Sequence, residues 1–99
     1  MPDSWTIIED LSTPGQILKE EFLEALGVSQ YRLAKAIGVD QARISRIVRG
    51  TQAITANASL RFASFFGTTP EFWLRLQETY DLMMARAHGD YAEIEPLVA

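Results

Sequence analysis

Apolar residues recur at helical intervals through most of this chain, and glycines end the runs. In TPGQILKEEFLEALG, residues 13–27, Ile17, Leu18, Phe22, Ala25 and Leu26 make one apolar stripe at helical spacing. Thr13 suits the N-cap, Pro14 the first helical position, and Gln16 completes a capping box. Gly27 is placed to end this first helix. Ser29 caps a short second helix with Leu33, Ala34 and Ile37 inward, and Gly38 stops it. Asp40 caps a third, with Ile44, Ile47 and Val48 on its inner side and Gly50 at its end. Thr55 opens a fourth helix, in which Ala58, Leu60, Phe62, Ala63 and Phe66 supply apolar contacts and Gly67 closes it. Thr69 and Pro70 open a fifth, predicted to run to about Ala87. Its core stripe is Phe72, Trp73, Leu76, Tyr80, Met83, Met84 and Ala87. No strand alternation, internal repeat or low-complexity tract is visible, so the fold class is all-α.

The flanks are different. Residues 1–12 form a polar, acidic arm carrying Trp5, Ile7, Ile8 and Leu11. Residues 88–99 form a tail with Tyr91, Ile94 and Leu97, where Pro96 breaks any helix. The expected organisation is an arm (1–12), a helical domain (13–87) with a helix-turn-helix at 29–50, and a tail (88–99).

Ninety-nine residues suit one domain with a core of its own. The chain has no cysteine, which excludes disulfides and thiolate metal sites. MPDSWTIIED lacks the basic and apolar regions of a signal peptide, and no apolar run approaches the ~20 residues of a membrane helix. A soluble, cytoplasmic protein is expected.

Charge changes the picture. Between Ser29 and Arg61, six basic residues stand against Asp40 alone, a net +5. The remaining three basic and twelve acidic residues give −9, for a total of −4. A basic middle thus sits between acidic flanks, and only the middle has the charge for a polyanion.

That middle contains AIGVDQARISRIVRG, residues 36–50. Ala34 is small where the second and third helices must approach closely, and Gly38 permits the left-handed backbone of a tight turn. With Ile44 and Ile47 in the core, Gln41, Arg43, Ser45, Arg46 and Arg49 turn outward. Such a helix fits the major groove of B-DNA, where Gln and Arg form bidentate bonds to adenine and guanine edges. A solvated charged face is the alternative, but the small residue, turn glycine and caps in register favour DNA readout.

SQYRLAKAIGVDQARISRIVRG resembles the helix-turn-helix of the lambda-repressor-like (XRE) class. The wider span from about Thr13 to Leu82, including GTTPEFWLRLQ, is similar to HigA-type antitoxins, the virulence-associated protein I group. The resemblance implies a five-helix lambda-repressor-like domain. It implies a homodimer on a palindromic operator in its own promoter, and neutralisation of an RNA-cleaving toxin of the HigB type. Carried over by position, Gln30 falls where the class contacts phosphate. Gln41, Ala42 and Arg46 fall where base contacts arise, and Arg43, Ser45, Arg49 and Thr51 where base or phosphate contacts arise. Ala42 departs from the polar residues common at its position and offers only a methyl group to a thymine methyl.

Leu74 and Leu82 lie off the core stripe of the fifth helix and, with Ile94 and Leu97, are either lone surface residues or a dimer seam. The acidic surfaces Glu20, Glu21 and Glu24, the arm (Asp3, Glu9, Asp10) and the tail (Asp90, Glu93, Glu95) are candidate contacts for a basic toxin. Trp5, Ile7 and Ile8 are the candidate anchors, a frayed terminus being the alternative. With no cysteine, one histidine (His88) and no glycine-rich phosphate loop, an enzyme is not expected, nor a metal or cofactor. A stand-alone transcriptional regulator of the same class, without a toxin, is the alternative function.

Overall fold

A computed structural model describes residues 12–98 of the chain; the arm residues Asp3, Trp5, Ile7, Ile8, Glu9 and Asp10 lie outside the described residues. Within 12–98 there are five helices and no strand. The first, α1, opens as an α-helical turn over Pro14–Ile17 and continues as a π-helical segment over Leu18–Glu24. The others are α2 (Gln30–Ile37), α3 (Gln41–Arg49), α4 (Ala56–Phe66) and α5 (Pro70–His88). Residues 89–98 carry no helix.

The starts are fixed by side chains that satisfy otherwise unpaired helix N–H groups. Gln16 N–H donates to Thr13 Oγ1 (3.1 Å) and Thr13 N–H to Gln16 Oε1 (2.8 Å), completing the capping box. Ser29, Thr55 and Thr69 cap α2, α4 and α5 in the same way. Asp40 is a departure from expectation. It holds the extended cap conformation ahead of α3, but its carboxylate accepts no capping hydrogen bond.

The apolar stripe expected in α1 is corrected by the π-helical segment. Hydrogen bonds five residues apart widen the turn and delay the inward positions. Leu23, five residues after Leu18, is buried, and its carbonyl accepts from Val28 N–H at 2.8 Å. Phe22 is half-buried, while Ala25 and Leu26 face solvent. Leu60 in α4 also points outward, as does Ala87 at the end of α5.

Trp73, fully buried, centres one half of the core. Its ring lies 4.7 Å from that of Phe22, 5.1 Å from Phe62 and 5.0 Å from Phe72, in tilted or edge-on geometry. Its Nε1–H donates to Thr68 Oγ1 at 2.8 Å, so its one polar group is satisfied. The other half is Leu33, Ile44, Ile47 and Ile54, all buried. Tyr80, Met83 and Met84 continue the α5 stripe half-buried.

Candidate nucleic-acid interface

The site is built from the turn between α2 and α3. Ala34 is 3% exposed where the two helices meet. Gly38 has φ +73°, the left-handed conformation, and the adjoining Val39 N–H donates to the Ala34 carbonyl at 3.0 Å. Ile44 and Ile47, each 1% exposed, clamp the inner side of α3. That clamp leaves Gln41, Ala42, Arg46 and Arg49 exposed on its outer side. Arg43 and Ser45 sit half-buried at its edges, and exposed Thr51 follows the closing Gly50.

These side chains are held by neighbours outside α3. Ser45 Oγ donates to Gln30 Oε1 at 2.8 Å, tying α3 to the first turn of α2. With its oxygen thus engaged, Gln30 keeps its amide N–H groups as donors for an oxyanion. Arg43 Nη2 donates to Thr55 Oγ1 at 3.2 Å, and Arg46 Nε donates to Gln52 Oε1 at 2.8 Å. Thr51 Oγ1 donates to the Arg46 carbonyl at 3.2 Å. Arg49 makes no side-chain hydrogen bond or ion pair with another described residue.

Two residues that sequence reasoning passed over therefore belong to the site, Gln52 and Thr55. Both lie beyond the Gly50 stop signal, and no periodicity marks them. Arg61, counted in the basic middle, has another job. Its Nη1 donates to the Ile37 carbonyl at 2.6 Å and its Nε to Asn57 Oδ1 at 3.0 Å, closing the C-terminus of α2.

The remaining candidates are spread over other surfaces. Glu20, Glu21 and Glu24 are exposed on α1, with Glu24 3.8 Å from Lys19. On α5, Leu74 is 37% and Leu82 52% exposed, and Ile94 and Leu97 are exposed beyond it. Asp90, Glu93 and Glu95 are exposed in the tail, and His88 is exposed at the end of α5. Among the described residues no three His, Asp or Glu side chains cluster as metal ligands, and no helix is long and apolar enough to cross a membrane.

The exposed α3 face has the chemistry of base recognition. An Arg fork matches guanine O6 and N7, a Gln amide matches adenine N6 and N7, and the Ala42 methyl can meet thymine. Comparison with known proteins agrees with this geometry. The helix-turn-helix family matches residues 19–73. Virulence-associated protein I of Dichelobacter nodosus is 47% identical over 72 residues, covering 73% of this chain and 67% of that protein. Antitoxin HigA-1 of Vibrio cholerae is 40% identical over 72 residues, covering 73% and 68%. A solved structure of the Pseudomonas aeruginosa antitoxin HigA with the higBA promoter superimposes with a TM-score of 0.82 at 37% identity, covering 88% of this chain and 98% of that one. By its fold, its α2–α3 unit and these likenesses, the chain belongs to the helix-turn-helix family and, within it, to the HigA-type antitoxins of the virulence-associated protein I group.

Proposed function

We propose that this protein is an operator-binding transcriptional repressor and the antitoxin of a HigB-type toxin, repressing its own operon through α3. The observation that carries the reading is the two-sided α3. Ile44 and Ile47 fix it to the core, and Gln41, Ala42, Arg46 and Arg49 face outward beside Gln30. The similar Pseudomonas aeruginosa antitoxin was solved with promoter DNA, which supports the same use of the matching surface here.

In this reading Gln41, Ala42 and Arg46 meet base edges. Gln30 positions the helix on phosphate, and Arg43, Ser45, Arg49 and Thr51 add base or phosphate contacts; phosphate contacts fix register without reading sequence. Two copies pair on a palindrome, with half-sites about one helical turn, ~34 Å, apart. The exposed apolar residues Leu74, Leu82, Ile94 and Leu97 supply the seam. An acidic surface, that of Glu20, Glu21 and Glu24, of the arm or of the tail, meets the basic toxin, because opposite fields steer encounter.

The test has two arms. A gel-shift assay with duplex DNA from upstream of the protein's own reading frame should show a retarded species that an unrelated duplex does not compete away. Co-expression with the toxin encoded beside it should restore growth. Binding without rescue, or no basic toxin frame alongside, would leave a stand-alone regulator; no preference for the upstream DNA would remove the repressor assignment.

A further inference from the structure

The segment that follows α3 is tied down on both sides. On one side it meets the arginines, with Arg46 Nε donating to Gln52 Oε1 at 2.8 Å and Arg43 Nη2 to Thr55 Oγ1 at 3.2 Å. On the other it is fixed to α5, where Ile54 N–H donates to Gln77 Oε1 at 2.8 Å and Gln77 Nε2 donates to Asp81 Oδ1 at 2.8 Å. Ile54, buried at 2% exposure, pins the same segment into the core. Gln52 itself is half-buried, so its amide has a restricted set of positions.

The consequence for Arg46 is geometric. A free arginine on an exposed helix face samples many rotamers, and ordering it on a base edge costs conformational entropy. Here one acceptor holds Nε and leaves both Nη groups unengaged, the pair that makes a fork on guanine O6 and N7. We infer that Gln52 is a positioning residue that orients the Arg46 guanidinium before DNA arrives and so sets base discrimination at the pair Arg46 reads. Gln52 acts through Arg46. The inference rests on the proposed DNA reading by α3 and adds a specificity determinant outside the helix-turn-helix.

The experiment is selection from a duplex library with randomised positions, applied to the parent, Arg46→Ala, Gln52→Leu, Gln52→Glu and the double variant Arg46→Ala with Gln52→Leu. Circular dichroism and thermal unfolding establish that each variant is folded. The positions at which Arg46→Ala loses preference define what Arg46 reads. Gln52→Leu keeps size and removes the acceptor, and should lose preference at those same positions by about tenfold, within the ~5- to 150-fold that a good bidentate contact supplies. The double variant should lose no more than Arg46→Ala alone, because the two act as one unit. Gln52→Glu keeps an acceptor for Nε. It should retain the preference while binding every duplex more weakly, since a carboxylate repels phosphate. A general packing role for Gln52 predicts uniform weakening by Gln52→Leu at all positions, and that result overturns the inference. So does an unchanged preference in Gln52→Leu, or an Arg46→Ala variant that still prefers the parent site. A parent that selects no site at all overturns the DNA-reading assignment and this inference with it.

Discussion

Gly15 and Ile47 touch backbone to backbone: a Cβ built on Gly15 would overlap the Ile47 carbonyl oxygen and come within 2.8 Å of the Val48 carbonyl oxygen. The first turn of α1 therefore rests on the carbonyl end of α3, main chain against main chain. Both obstacles are main-chain atoms of a helix, so neither yields by a rotamer change.

Gly15→Ala tests that contact. Alanine favours a helix over glycine by about 1 kcal/mol, which alone would stabilise α1. Overpacking costs ~1–3 kcal/mol, and more where backbone must shift. The clash should win, and the midpoint of thermal unfolding should drop by roughly 4–8 °C per net kcal/mol for a domain of this size. An unchanged or raised midpoint would mean that the α1–α3 approach is looser than described.

Arg61 and Arg49 should separate stability from DNA binding. Arg61→Met removes the donors to the Ile37 carbonyl and Asn57 and should cost about 1–3 kcal/mol of stability. The slope of log affinity against log salt should be nearly unaltered. Arg49→Ala should do the reverse, leaving the unfolding midpoint in place and lowering that slope by about one. Urea unfolding and affinity measured across a salt series distinguish the two. Equal effects of both variants on the slope would place Arg61 on the DNA as well.

The dimer seam proposed on α5 is tested by Leu82→Glu, alone and with Leu74→Glu. Both positions are exposed, so a carboxylate there should leave the fold of the single chain intact. In analytical ultracentrifugation the parent should sediment as a dimer at micromolar concentration, and the double variant as a monomer with much weaker operator affinity. A dimer that survives both substitutions would place the seam elsewhere.

Where local rules govern, the sequence was easy to read. The caps at Thr13, Ser29, Thr55 and Thr69 start four of the five helices, and the left-handed glycines at 27, 38, 50 and 67 end the first four, through short-range sterics and hydrogen bonds. The inward pair Ile44 and Ile47 followed from ordinary helical periodicity, and with it the outward face of α3. The π-helical segment did not, because a period of 3.6 residues assumes a hydrogen-bond pattern that Leu18–Glu24 does not keep. Gly15 carries no local signal in the sequence; its meaning is a tertiary approach to α3. Arg61 read as one more cation until its partners, 24 and 4 residues away, came into view. Gln52 was hidden for the same reason: it meets Arg46 around the corner of a glycine stop.

The central claim is that α3 reads duplex DNA by sequence. Fluorescence anisotropy of the parent, Gln41→Ala and Arg46→Ala on the upstream operator and on a scrambled duplex, at one fixed salt concentration, tests it most directly. The account predicts that each variant loses ~5- to 150-fold in operator affinity, as expected when ~1–3 kcal/mol of base contact is removed, and binds the scrambled duplex nearly as the parent does. Operator affinities equal to the parent's in both variants, at unchanged helix content, would contradict it.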